Sequence, residues 1–270
     1  METTEQMTQK LIEWYAAKRR ILPWREDPTP YHVWISEIML QQTRVDTVKG
    51  YYARFLASCP DIRALAEAPE DVYMKLWEGL GYYSRVRNMH KAAEEIMTEC
   101  GGEMPESYEQ LLGITGIGPY TAAAIASIAF GEKVPAVDGN LLRVFARLSA
   151  YPENIKTEKA RKAAAEYYLR WMPEGDGHGF YTPGSFNQAL MDLGATICLP
   201  NRAPLCADCP LQDFCTAHAR GEETAYPVMP EKKARRIEDR TVFLIHDAGK
   251  IVIGKRPPKG LLASLYEFPN

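Results

Sequence analysis

No stretch of the chain is apolar for long enough to cross a bilayer as a helix, so a membrane-spanning role is excluded at the outset. Met1 to Arg20 starts with acidic residues and lacks the unbroken apolar core of a secretory signal, and the expectation is a soluble, cytoplasmic protein. A basic excess is missing as well: 32 Lys and Arg stand against 35 Asp and Glu, a net charge of -3, which argues against a generic polyanion binder. It leaves room for a local basic face. Lys18-Arg19-Arg20, Arg85 with Arg87, and Lys232-Lys233 with Arg235-Arg236 are candidates, and each is equally readable as solvated surface. Alternation of the strand kind is absent before Thr241. Cysteine is scarce outside one cluster, and the isolated Cys59 and Cys100 read as small buried apolar residues.

What is present is a globular balance of 46% hydrophobic and 25% charged residues over 270 positions, enough for a sizeable core and for two modest domains. The most informative stretch is Leu111–Asp138. Gly116 and Gly118 bracket Ile117 in a turn where backbone can approach a ligand, and Pro119 opens an Ala-rich helix ending at Gly131. Free amides at a positive dipole end suit a phosphate oxygen and select no base, so a nucleic-acid backbone is a natural ligand; an ordinary helical connection is the bland alternative. A second helix is expected to begin near Pro135 with Asp138 in its first turn, where the residue is either a cap or a functional carboxylate.

Upstream, Thr4–Arg20 carries Met7, Leu11, Trp14 and Tyr15 at helical spacing. Tyr31 to Val45 then reads as a largely buried helix containing one carboxylate, Glu37, amid Trp34, Ile35, Ile38, Met39 and Leu40. Desolvation raises a carboxyl pKa and favours the protonated form that a general acid needs; a wet stripe on the helix is the competing reading. Further helices are expected over Val45–Ala57, Pro69–Glu78, Ser84–Thr98, Leu141–Ala150, Thr157–Trp171 and Ser185–Ile197. Gly79 to Ser84 is a turn with two aromatics, Tyr82 and Tyr83, that either pack inward or stack on bases.

Cys198, Cys206, Cys209 and Cys215 follow the spacing C-x7-C-x2-C-x5-C, which in a cytosolic chain points to a metal centre rather than disulfides. Four thiolates suit tetrahedral zinc or an iron–sulfur cubane, and the spacing leaves both open. Beyond them, 221–238 is a polar linker with Pro227 and Pro230. Thr241–Ile245 and Ile251–Gly254 are then strand-like runs joined by His246–Lys250.

Taken together, the hairpin with Asp138, the segment Trp34–Thr43, the Gly79–Ser84 turn and the cysteine loop resemble the MutY family of adenine DNA glycosylases, in the helix-hairpin-helix superfamily that includes endonuclease III. The resemblance implies a mainly α fold. It places an N-terminal helix (1–30) against a cluster domain (136–220), with a six-helix domain (31–135) holding the hairpin near 107–130. A Nudix-like C-terminal part begins at 239–270, read as incomplete because a lone hairpin and tail cannot close a core.

The activity implied is hydrolysis of the N-glycosidic bond of adenine paired with 8-oxoguanine or guanine in double-stranded DNA, by a monomer. Glu37 is the implied general acid and Asp138 the ionised stabiliser of the sugar, supported by Asn140. Trp24, Arg25, Leu40 and Gln188 line the adenine pocket in this reading, while Gln42 and Tyr82 enter the duplex and Gly116, Ile117 and Gly118 hold its backbone. The four cysteines hold [4Fe-4S], although the first gap of seven residues exceeds the family's six by one. Tyr120 stands where endonuclease III has its nucleophilic lysine, which implies a monofunctional enzyme, and Tyr120 is expected to reach Asp138. An endonuclease III-like lyase acting on oxidised pyrimidines and a non-catalytic DNA-binding module are the alternatives.

Overall fold

The computed structural model describes residues 2–175, 179–230, 237, 239–257, 259–260, 262 and 265–270. Its organising element is helix α2, Pro30–Leu40, with Thr29 as N-cap accepting from the His32 N–H and Pro30 in the first turn. A helix apolar all round must be enclosed, and here Tyr31, Val33, Trp34, Ile35, Ile38 and Met39 are all buried. Around it pack α3 (Val45–Ser58), α4 (Ile62–Ala66), α5 (Glu70–Leu76), α6 (Ser84–Glu99), α7 (Tyr108–Gly113) and α8 (Pro119–Ala129). Helix α6 shows the pattern of a half-buried helix, with Val86, Met89, Ala93 and Ile96 turned inward at spacings of three and four. Each such large apolar side chain contributes roughly 1.5–3 kcal/mol on full burial.

A second core gathers α1 (Glu2–Lys18), α9 (Gly139–Leu148), α10 (Glu158–Leu169) and α11 (Pro183–Thr196). Leu11 and Tyr15 of the N-terminal helix lie in it beside Phe145, Tyr168 and Phe186. Helix α8 serves both cores: Ala122, Ile125 and Ala126 face the first, Ala123 and Ala124 the second. Its small side chains let neighbours close in from either side. Between α8 and α9 the chain runs without helix from Gly131 to Asp138. The fully buried Asn187 of α11 pins that run, accepting from the Ala136 N–H (3.0 Å) and donating to Val134 O (3.0 Å) and Ser127 Oγ (2.8 Å).

Two local expectations are corrected. Helix α9 starts at Gly139, not near Pro135, and Asp138 is its N-cap with extended backbone, accepting from the Leu141 N–H at 2.8 Å. A short carboxylate satisfies a helix amide better from the cap than from within the first turn, and the extended run pinned by Asn187 delivers it there. The other concerns the C-terminal part.

The chain divides into two units, Met1–Pro230 and Glu231–Asn270. In the second, β1 (His246–Asp247) pairs antiparallel with β2 (Lys250–Ile251), and β3 (Gly254–Lys255) with β4 (Tyr266–Glu267). The turn thus falls within His246–Lys250 as expected, but β1 and the start of β2 also lie inside that segment. Ala248 and Gly249 both take positive φ (46° and 78°), a two-residue turn tight enough to pull His246 and Asp247 into register. Lys232, Lys233, Arg235 and Arg236, together with Leu261, Ala263 and Ser264, lie outside the described residues.

One close approach ties fold to site. A Cβ on Gly194 of α11 would stand 2.6 Å from Cβ of Asn140 and 3.2 Å from its Cα, so glycine alone permits this packing of α11 on the start of α9. Gly194→Ala is expected to destabilise the protein by about 1–3 kcal/mol through overpacking, visible as a lower Tm. An unchanged Tm would mean that the helices separate freely there.

Candidate active site

Glu37 sits midway along α2, 5% exposed, where the helix faces α8 across the first core. Tyr120, in the first turn of α8, donates its hydroxyl to Glu37 Oε2 in a very short hydrogen bond. Burial pushes the Glu37 carboxyl up to about 7; the Tyr120 bond and the charge of Arg25 oppose this, and Asp138 adds to it. Burial likewise lifts the Tyr120 phenol well above its ordinary value, so it stays a neutral donor. The expected Tyr120–Asp138 bond is not formed. Asp138 is already served by the Leu141 N–H and by Asn140 Nδ2 at 2.8 Å, whereas Glu37, deep in the apolar helix, has Tyr120 as its donor.

Burial raises the Asp138 pKa too, but the Leu141 and Asn140 donors and the nearby Arg143 favour its charged form. Asn140 is itself oriented, since Arg143 Nη2 donates to its Oδ1 at 2.9 Å and to Gly194 O at 2.7 Å. Nε of the same arginine donates to Cys198 O at 2.8 Å. A continuous set of hydrogen bonds thus runs from the carboxylate to the cysteine loop.

Glu37, Tyr120, Asp138 and Asn140 open on one cleft of about 640 Å³, within the range of small-molecule sites. Trp24, Arg25, Leu40, Gln42 and Gln188 line it as well, and among the described residues no lysine does. Trp24 is held edge-on by Tyr52 with ring centroids 5.5 Å apart. Arg25 lies over the Tyr15 ring, its guanidinium forked onto Asp192 at 2.8 and 2.9 Å. Asp192 also receives Arg20 Nε at 2.8 Å and the Arg20 N–H at 3.0 Å. Sequence reasoning missed Asp192, although it carries the same signal as Glu37, a single carboxylate in an apolar helix.

The remaining expected residues lie elsewhere. Tyr82 is 63% exposed on a turn outside the cleft, with φ of 47°, and Gln42 shares the left-handed conformation at 60°. Gly116 takes φ of 77°, and a Cβ there would meet Asn88 Cβ at 2.9 Å. Ile117 is buried and its N–H is used by Ile114 O at 3.1 Å. Among the described residues, no backbone acceptor takes the N–H of Gly116 or Gly118, and both glycines are exposed.

Arg20 is paired with Asp192 and Arg87 with Glu70, while Arg85 is consumed by carbonyls. A neighbouring cleft shares Gly139 and Arg161 with the first and is lined by Lys156, Arg161 and Arg202 together with Arg143 and Arg147, which like Arg85 are bonded to backbone carbonyls; among the described residues no carboxylate lines it. These cations are dispersed over three chain segments, which is why no run revealed them.

Cys198, Cys206, Cys209 and Cys215 line a single enclosed cavity with Leu148, Leu193, Ile197 and Leu211. Arg147 Nη1 donates to Cys198 Sγ at 3.2 Å, and Cys215 Sγ lies 3.4 Å from Arg147 O. Burial pushes Cys206 up to about 11 and Cys209 up to about 12, the mark of thiols crowded in an apolar place. Four soft sulfur donors in a dry pocket with a guanidinium alongside fit a metal centre of thiolate type. His218 and Glu223, 2.5 Å apart, adjoin Cys206, with the three ligand atoms within 4.8 Å of one another. Sequence spacing had not singled out that pair.

Comparison with known proteins agrees with this geometry. The family described as HhH-GPD superfamily base excision DNA repair protein matches residues 35–170. The adenine DNA glycosylase of Mus musculus is 36% identical over 96% of the chain, which spans 59% of that relative's length. The adenine DNA glycosylase of Buchnera aphidicola subsp. Baizongia pistaciae is also 36% identical, over 99% of the chain and 74% of the relative. Among solved structures, a thermostable thymine-DNA glycosylase superposes with a TM-score of 0.71 at 27% identity, covering 82% of the chain and all of that protein. Among the described residues, no helix is long and apolar enough to cross a membrane.

The buried acid has a consequence for stability. An unfolded chain ionises Glu37 from about pH 4.5, whereas the native state resists until about pH 7, so the stability it contributes is full below pH 4.5 and is lost as pH rises to about 7. Glu37→Gln removes that titration while keeping an acceptor for Tyr120. Its stability relative to the parent should improve by roughly 2–3 kcal/mol between pH 4 and pH 8, as read by denaturant unfolding. A constant difference across that range would contradict the burial account.

Proposed function

Because the chain belongs to the HhH-GPD superfamily of base excision DNA repair proteins, we propose that it is an adenine DNA glycosylase acting on adenine opposite 8-oxoguanine or guanine in duplex DNA. The observation that carries this reading is the pairing of a buried carboxyl, pushed up to about 7 by burial, with a second carboxylate lining the same cleft. The relatives named above support the choice of adenine. The chain spans under two thirds of the mouse and Arabidopsis thaliana relatives, and the activity of the whole protein is inferred on that basis.

The target bond lies inside the base stack, so the nucleotide must swing out, at roughly a few kcal/mol and less for a mispair. Gln42 and Tyr82, both held with positive φ, fill the opened duplex in this reading. The Gly116 and Gly118 amides and the cation-lined cleft hold phosphates on either side. Trp24, Arg25, Leu40 and Gln188 surround the extruded adenine.

Protonated Glu37 donates to N7 of the base, and the electron pair of the breaking N-glycosidic bond leaves with adenine, whose charge the proton has neutralised. Asp138 faces the sugar and balances its developing positive charge. Water then adds to the anomeric carbon and its proton returns to Glu37. Tyr120 keeps Glu37 oriented and its pKa from rising further. A phenol cannot form a Schiff base, and with no lysine on the cleft walls the enzyme is monofunctional. The four cysteines would hold [4Fe-4S], which would supply a cross-link within the 198–215 loop and not a reacting group.

Single-turnover release of adenine tests this directly. Glu37→Gln should slow excision by about 100-fold or more while mispair binding persists, and near-normal turnover would refute the role of acid. In the parent the rate should fall as pH rises through about 7, because the protonated acid is lost. Tyr120→Phe removes the bond that lowers the Glu37 pKa, so that limb should move to higher pH; a shift to lower pH would reverse the assignment. Purified protein should be brown with about four irons per chain, whereas colourless protein with stoichiometric zinc would reject the cubane.

A further inference from the structure

Arg85 stands in the first turn of α6 and read as a surface cation, yet its guanidinium is turned inward. Nη1 donates to Ile38 O (2.7 Å), Met39 O (3.3 Å) and Gln41 O (2.8 Å), which are the last carbonyls of α2 and the turn beyond it. Nη2 donates to Leu80 O and Gly81 O, both at 3.3 Å, in the turn between α5 and α6. The guanidinium plane also lies over the rings of Trp77 (5.2 Å) and Tyr82 (5.7 Å). All these acceptors are neutral, and among the described residues no carboxylate pairs with Arg85.

The two segments so joined are those that carry Gln42 and Tyr82, each in the left-handed backbone region that a residue other than glycine rarely adopts. Such conformations are costly and persist only where the surroundings over-determine them. Helix-terminal carbonyls attract a cation through the dipole, and a planar fork with five N–H groups reaches two segments where an ammonium reaches one. Arg85 is thereby spent on backbone and is withdrawn from phosphate contact.

We propose that Arg85 is a positioning residue that joins the Gln41–Thr43 and Leu80–Tyr82 turns into one wedge, so that the two side chains entering the duplex advance together and at a fixed distance from Glu37. This rests on the adenine-excision reading, in which those two residues occupy the opened stack. Because α2 carries both Glu37 and, just past its end, Gln42, the arginine sets the opening device against the chemical one.

The test compares two duplexes in single turnover: adenine opposite 8-oxoguanine, which must be unpaired, and adenine opposite an abasic-site analogue, which has no partner. Arg85→Lys keeps the charge and loses the fork. It should slow excision of the paired adenine tenfold or more and slow the unpaired one at least threefold less. Equal slowing on both would show a structural role alone and overturn the proposal. If the parent releases adenine from neither duplex, the proposed function fails rather than the role of Arg85. Hydrogen exchange of the parent protein decides independently of whether the variant folds. Amides of 41–43 and 80–82 should gain protection in parallel on binding the 8-oxoguanine duplex, and protection of one turn without the other would overturn the coupling.

Discussion

Glu37, buried, and Asp138, half-buried, line one cleft, and the rest of the catalytic unit is arranged around making that tolerable. An isolated buried carboxylate is among the costliest groups a protein can hold, and a second one nearby adds repulsion. The chain treats the two differently. Glu37 gets an apolar helix, which favours its proton, with a single neutral hydroxyl donor that opposes this only in part. Asp138 gets a helix N-terminus, an asparagine and a nearby guanidinium, which favour its charge. Environments that pull two acids apart in this way assign one to proton donation and the other to charge stabilisation.

That division needs both cores at once. Glu37 and Tyr120 come from helices of the first, Asp138 and Asn140 from the start of α9 in the second, and α8 belongs to both. The extended run before Asp138 would have no fixed course without Asn187, whose buried amide takes the place of a strand neighbour. Arg25 meets the site from the N-terminal segment only because Asp192 holds it there.

The mainly helical fold was legible because apolar residues recur at three- and four-residue spacing through nearly every helix, and a lone Glu in Tyr31–Val45 already stood out. Partner choice was not legible. Periodicity reports which face is buried, not which of two acids a tyrosine will meet, so Tyr120 was assigned to Asp138 and is found on Glu37. The same limit explains Arg85: a cation at a helix start looks solvent-facing until the carbonyls of two separate turns are placed beside it. Asp138 was put within a helix because the pattern after Pro135 does not say where the first helical amide lies. The β-hairpin lies where it was expected, but its turn is tighter than the five-residue connection read from the sequence, since Ala248 does not advertise a left-handed turn. The cation-lined cleft was hidden because its members are brought together from separate segments.

Helix α8 presents alanine to both sides, so its backbone is shielded by two cores and neither can open without exposing it. Amides so placed exchange with solvent only when cooperative structure is lost on both sides. Tyr120 hangs from the first turn of that helix. The hydroxyl that steadies the acid is therefore mounted near the part of the catalytic unit that fluctuates least, while Gln42 and Tyr82 project from turns at its edge. Under the proposed function, the proton is thus delivered from beside the doubly shielded helix, and the two residues proposed to enter the duplex stand at the rim.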